Sequence, residues 1–79
     1  MVRLVNIKKN NNLLSANYIP ENSSKLGFIS IDVLTGEMVS FEYTEHDRVL
    51  PLYFSHAETA LKELVGADNI PESKLVMWY

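Results

Sequence analysis

The chain has 79 residues, of which 47% are hydrophobic and 22% are charged, and its formal net charge is -3 at pH 7. This length suits one small domain, and the apolar fraction is well above that of disordered proteins. The sequence contains no cysteine, which excludes a disulfide framework, a thiolate metal site and a cysteine nucleophile.

The charge and hydropathy patterns also bear on location and partners. A net charge of -3 is too small to select a strongly basic partner through its field. Residues 1–6 alternate in polarity instead of forming an apolar targeting segment, and no apolar run has the length needed to cross a bilayer. We therefore expect a cytoplasmic protein with no membrane partner.

The N-terminal part of the chain predicts a β-hairpin. Val2 to Lys8 and Leu13 to Ile19 each alternate with a period of two, and Asn10-Asn11-Asn12 can form the turn because asparagine tolerates left-handed backbone angles. Pro20 should end the second strand because it has no N–H to donate. In the first strand, we expect one face to carry Val2, Leu4 and Asn6 and the opposite face to carry Arg3, Val5 and Ile7. In the second strand, Leu14, Ala16 and Tyr18 should share a face.

A second hairpin is predicted from Lys25 to Thr44. Its strands are Lys25 to Val33 and Met38 to Thr44, and Gly36 supplies the positive φ of the turn. In the first of these strands, Ile29, Ile31 and Val33 should share a face. In the second, one face should carry Val39, Phe41 and Tyr43, and the other face should carry Met38, Ser40 and Glu42. The Ile-Asp-x-x-Thr-Gly-Glu turn is similar to a hairpin of PepSY domains over about Ile29 to Phe41, although no helix of the expected kind precedes it.

A helix is predicted from Ser55 to Val65, after a long connection over residues 44–54. Ser55 and Glu58 have the spacing of a capping box, and Gly66 should end the helix in a left-handed conformation. The apolar side chains recur at helical spacing and should cover a sheet. They are Ala57, Ala60, Leu61, Leu64 and Val65.

A last strand is predicted from Lys74 to Tyr79. The element order is then β-β-β-β-α-β, which favours one α+β domain over residues 1–79. We expect an antiparallel sheet of four to five strands with one helix packed on one face. The final strand should return to the sheet beside one of the earlier strands.

The sequence offers little support for catalysis. Glu45, His46, Asp47 and His56 are the residues that could form an acid–base or metal cluster, but their spacing is not a ligand signature. The three glycines form no phosphate-binding loop, and Ser55 before His56 is better explained by capping than by nucleophilic catalysis. We expect no enzymatic activity, no catalytic or metal-binding residues and no cofactor.

Single-stranded nucleic-acid binding by a sheet face is an alternative function. Aromatic side chains could stack on bases while basic side chains contact phosphates at the rim. The net acidic charge argues against this alternative, because phosphate-binding faces are usually basic. The residues concerned are Tyr18, Phe28, Tyr43, Trp78 and Tyr79, with Arg3, Lys8, Lys9 and Lys25.

The terminal Met77-Trp78-Tyr79 is the candidate interaction segment. In a central strand its large apolar side chains would be ordinary core, whereas at a sheet edge they would favour β-augmentation or dimer formation. Trp and Tyr are also enriched among the residues that dominate interface energies. We therefore expect a small non-enzymatic module that binds another protein or a second copy of itself.

Overall fold

The computed structural model describes residues 1–20, 25–44 and 52–77. Within these residues the chain forms five strands and one helix. The elements are β1 (Val2–Asn10), β2 (Leu13–Pro20), β3 (Gly27–Asp32), β4 (Met38–Glu42), α1 (Leu52–Glu63) and β5 (Lys74–Val76). The predicted α+β fold, an antiparallel sheet with one helix, is confirmed.

The strands form one antiparallel sheet in the order β4-β3-β2-β1-β5. The first four strands follow one another as a meander. β5 then returns across the sheet and pairs with β1, where Val76 lies opposite Val2. The predicted return of the last strand is therefore confirmed, and it leaves β5 at one edge of the sheet and β4 at the other.

The helix covers one face of the sheet, which we call the helix face; the opposite face is the open face. The core forms where the apolar stripe of α1 meets the inward side chains of the strands, as expected for burial of one face of each element. The sheet contributes Val2, Leu4, Ile7, Leu14, Ala16, Tyr18, Ile29 and Ile31, and the helix contributes Phe54, Ala57, Ala60 and Leu61.

A β-bulge in β1 changes the predicted faces of that strand. Val5 pairs with Asn17 and Lys8 pairs with Ser15, so two residues of β1 lie opposite one residue of β2. Asn6 adopts a φ of 53°, the left-handed conformation typical of such bulges. The extra residue turns Ile7 into the core. The prediction that Ile7 shares a face with Arg3 and Val5 is wrong because strict alternation does not continue through a bulge.

The turn between β3 and β4 forms as the sequence predicts. Gly36 has a φ of 76°, and its N–H donates to the carbonyl oxygen of Asp32 at 2.7 Å. The Asp32 carboxylate accepts the N–H of Leu34 at 2.8 Å, which is the usual side-chain contribution of aspartate to a turn. The strands themselves are shorter than predicted, since β3 begins at Gly27 and β4 ends at Glu42.

A second irregularity lies in β4. Ile31 pairs with Met38 and Ser30 pairs with Ser40, which leaves Val39 as an extra residue. Because directly opposite side chains share a sheet face, Met38 lies on the helix face beside Ile31. The prediction that Met38 faces away from Phe41 is therefore wrong, for the same reason as in β1.

The helix begins earlier and ends differently than predicted. It starts at Leu52, so Ser55 lies inside the first turns and its carbonyl accepts the Thr59 hydroxyl at 3.1 Å. The predicted capping box is wrong, since burial of Phe54 extends the helix beyond the local cap signal. At the other end, Gly66 has no positive φ. Tighter bonds close the helix instead, including Leu64 N–H to the Leu61 carbonyl at 3.0 Å.

Candidate functional site

The β5 edge is the first candidate interaction surface. Leu75 lies opposite Arg3 on the open face and is 50% exposed, and Met77, just beyond the strand, is 60% exposed. Lys74 faces the helix side and its ammonium lies 3.6 Å from the carboxylate of Glu63. Of the predicted contact residues, Met77 is thus exposed beside an edge, while Trp78 and Tyr79 lie outside the described residues.

The approach to β5 is fastened to the β1 bulge. The N–H of Ile7 donates to the carbonyl of Glu72 at 3.0 Å. The bulge thus provides a backbone donor for the segment that enters β5, which continues the sheet hydrogen bonding beyond the three residues of the strand. The β5 edge is therefore short, and it is flanked by the Ile7–Glu72 backbone hydrogen bond and the Lys74–Glu63 ion pair.

The β4 edge is the second candidate interaction surface. Val39, Phe41 and Tyr43 are 57%, 51% and 41% exposed, although each is a large apolar side chain. The helix packs mainly against β1, β2, β3 and β5. The outer part of the helix face at β4 is therefore only partly covered. The sequence predicts that these three side chains share one strand face, but not that their strand is an edge.

An aromatic cluster lies behind the β4 edge. We use this name for Tyr18, Phe41, Tyr43 and Phe54. The Phe54 ring lies 4.7 Å from Tyr43, 5.3 Å from Phe41 and 5.9 Å from Tyr18, measured between ring centroids. Phe41 and Tyr43 also contact each other at 5.0 Å. Since such edge and tilted contacts are favourable, the cluster holds the exposed Phe41 and Tyr43 rings against the buried core.

Tyr18 anchors this cluster. Its side chain is fully buried, and its hydroxyl oxygen accepts the N–H of Thr44 at 3.1 Å. The ring lies directly over Gly27, its cross-strand partner, and a Cβ built at Gly27 would overlap the Tyr18 ring. The aromatic ring over the glycine, together with the hydrogen bond, links β2 and β3 to the end of β4.

A groove of about 680 Å³ lies around the β1 bulge. Part of its wall is an amide chain in which the Asn6 side chain donates to the Asn17 side-chain oxygen at 3.1 Å, and Asn17 donates to the Gly27 carbonyl at 3.0 Å. These side-chain amides are therefore engaged in hydrogen bonds within the protein. The lining residues are Val5, Asn6, Ile7, Lys8, Ser15, Ala16, Asn17, Phe28, Glu72 and Ser73.

Of the aromatic residues proposed for base stacking, the three that the structure describes, Tyr18, Phe28 and Tyr43, do not share a face. Tyr18 is buried in the core and Tyr43 contacts Phe54 on the helix face, whereas Phe28 pairs with Asn17 on the open face. The basic residues also lie on both faces: Lys8 pairs with Ser15 on the open face, whereas Lys9 pairs with the buried Leu14 on the helix face. The geometry of these residues does not favour a stacking platform.

The candidate acid–base residues are not brought together by the described parts of the chain. His56 lines a groove of about 360 Å³ between α1 and β5, and Glu45, His46 and Asp47 lie outside the described residues. In residues 1–20, 25–44 and 52–77, no group of three or more histidine, aspartate or glutamate side chains is arranged to hold a metal ion. In those ranges the structure contains no helix with the length and hydropathy of a membrane span.

Comparisons of the chain with protein-family models, with curated proteins and with solved structures found no match. The similarity of the second hairpin to PepSY domains therefore gains no support from the family comparison. The two sheet edges remain as the candidate interaction surfaces.

Proposed function

We propose that the protein is a small non-enzymatic binding module, which contacts another protein or a second copy of itself through an edge of its sheet. One observation carries this proposal: exposed apolar side chains line both edge strands. They are Val39, Phe41 and Tyr43 at β4, and Leu75 and Met77 at β5.

An edge strand has a neighbouring strand on one side only. Its outward N–H and C=O groups can accept a further strand, and adjacent apolar side chains add burial to that pairing. A domain of this size also has a small core, which association can supplement. The predicted contact residues Met77, Trp78 and Tyr79 belong to this proposal. So does the cytoplasmic location, which cell fractionation with an antibody against the chain tests.

Capture from cell lysate tests the function, with washes at low and high salt and analysis of protein and nucleic acid. The wild-type chain is compared with a variant carrying Ser40→Glu and Leu75→Glu, which places a charge on each edge. A matched control is Leu34→Glu, in the exposed turn between β3 and β4. The control matters because Leu34 is also apolar and exposed but lies outside both edge strands.

We expect self-association or a captured protein to survive high salt, to persist in the control and to be lost in the edge variant. Alanine variants at Met77, Trp78 and Tyr79 then measure the part played by the terminal segment. Recovery of nucleic acid that high salt removes would contradict the proposal, because phosphate contacts weaken steeply with salt. Binding that the edge variant retains would contradict it as well.

A further inference from the structure

We propose that the groove around the β1 bulge binds a free aromatic amino acid, with the charged head group beside β1 and the aromatic ring beside Phe28. The groove has a volume of about 680 Å³, which lies within the usual range of small-molecule sites. Its lining residues belong to neither β4 nor β5. The inference therefore goes beyond the proposed function and does not depend on either sheet edge.

Two opposite charges lie at the β1 end of the groove. Lys8 lies opposite Ser15 on the open face, and Glu72 lies close to Lys8 because its carbonyl accepts the N–H of Ile7 at 3.0 Å. Both charged residues line the groove and are exposed. Within the described ranges, neither of them forms an ion pair. A ligand that carries a carboxylate and an ammonium on one carbon complements both charges.

Neutral polar groups lie beside these charges. The Ser15 hydroxyl, across from Lys8, can donate a hydrogen bond to a carboxylate. The Asn6 amide nitrogen donates to the Asn17 side-chain oxygen at 3.1 Å. Its carbonyl oxygen accepts no hydrogen bond from the described residues, and such an oxygen can accept from an ammonium. Together with Lys8 and Glu72, these groups match the donors and acceptors of an α-amino acid.

The other end of the groove is apolar. Val5 and Phe28 are half-buried on the open face, and they lie on either side of Asn17. Phe28 is two strands away from β1, which is about 10 Å at the usual strand spacing. A ligand with its head group beside Lys8 therefore needs a long apolar side chain to reach Phe28. An aromatic side chain has that length and makes a favourable ring contact there, which selects against small aliphatic amino acids.

Titration of the full chain with L-phenylalanine tests the site, with backbone amide shifts followed by NMR. We expect the shifted amides to lie in residues 5–8, 15–17 and 28, with a dissociation constant of about 1 mM or lower. Phenethylamine lacks the carboxylate, 3-phenylpropionate lacks the ammonium and L-alanine lacks the ring. Each should therefore bind roughly 10-fold more weakly or worse. No shift at about 10 mM L-phenylalanine, or an analogue that binds as tightly, would overturn the proposal.

Substitutions that remove one charge test the head-group contacts. Lys8→Met removes the cation and keeps an apolar stem, and its matched control is Lys9→Met, because Lys9 pairs with Leu14 on the helix face. Glu72→Gln removes the anion, and its control is Glu37→Gln in the exposed turn between β3 and β4. We expect each groove variant to bind L-phenylalanine roughly 10-fold more weakly and each control to bind it as the wild type does. Equal affinities in groove and control variants would overturn the proposal.

The analogues separate a lost contact from a disturbed fold. Lys8→Met should weaken 3-phenylpropionate and leave phenethylamine unchanged, whereas Glu72→Gln should do the reverse. A disturbed groove would weaken both analogues in both variants, and that result would overturn the assigned contacts. The outcome is also distinct from that of the lysate capture. A chain that binds L-phenylalanine and captures no salt-resistant protein would keep this site and contradict the proposed function.

Discussion

The two edges of the sheet differ in what lies behind them. β5 is three residues long. The Lys74–Glu63 ion pair links it to the helix, and the carbonyl of Glu72, which accepts the N–H of Ile7, links the segment before it to β1. β4 has five residues, and behind it the aromatic cluster joins the edge to the core. The comparison indicates that an edge becomes a candidate contact surface when buried side chains position its exposed ones.

The largest loss of stability is expected from a change in the core, where the packing of α1 on the sheet stabilises both edges. Leu61 is fully buried where α1 meets the sheet. Leu61→Asp would place an unpaired carboxylate in the core, at a cost of several kcal/mol against a total stability of roughly 5 kcal/mol for a small domain. We expect far-UV circular dichroism to show loss of the folded state.

The matched control for that prediction is Lys62→Asp, at the next position on the exposed side of the helix. It removes the exposed pair with Glu58 at 3.5 Å and should cost less than about 1 kcal/mol. Cooperative unfolding of Leu61→Asp near the wild-type midpoint would contradict the assigned core.

A smaller loss of stability is expected from a change that disturbs the support of the β4 edge but not that of the β5 edge. Gly27→Ala would push the Tyr18 ring away from its position and so disturb the aromatic cluster behind β4. Overpacking of this kind costs about 1–3 kcal/mol. Thermal unfolding measures the loss, and amide exchange should rise at β4 before it rises at β5. Gly66→Ala is the control, because the space around Gly66 is open and its φ is ordinary; equal losses would refute the account of Tyr18.

The bulge in β1 supports the β5 side, and two substitutions at Asn6 measure its contribution. Asn6→Gly and Asn6→Ala both lose the bond to Asn17, but only alanine is strained at a φ of 53°. The alanine variant should therefore be about 1–2 kcal/mol less stable than the glycine variant in urea unfolding. Equal stability would mean that the chain can relax the bulge without cost.

The smallest effect is expected from Lys74→Ala. The ion pair with Glu63 is largely solvent-exposed, and solvent screening limits such pairs to less than about 1 kcal/mol. We expect little change in the unfolding midpoint, together with faster amide exchange confined to β5. A large loss of global stability would show that the β5 edge carries more of the fold than its geometry indicates.

Local patterns in the sequence predict much of this fold. The period of two identifies the strands, Gly36 identifies the second turn, and Asn11 in the first turn has a φ of 57° as the asparagine run suggests. These features depend on neighbouring residues, and the same is true of the apolar spacing of α1.

The predictions from the sequence are wrong where contacts between distant residues determine the local structure. The bulges at Asn6 and Val39 each shift the alternation by one residue, and only pairing with the neighbouring strand reveals them. The helix extends to Leu52 because Phe54 is buried against Tyr18, which outweighs the local cap signal at Ser55. Which strands lie at the edges is likewise a property of the whole sheet. For that reason, the sequence alone does not predict that β4 is an edge.

The central claim is that the edge strands of the sheet make the contact. Capture from lysate at high salt tests it most directly, with the wild-type chain beside the variant that carries Ser40→Glu and Leu75→Glu, since that variant places a carboxylate on the open face of each edge strand. We expect this variant to lose the salt-resistant binding that the Leu34→Glu control retains. Binding that the folded edge variant keeps would contradict the claim.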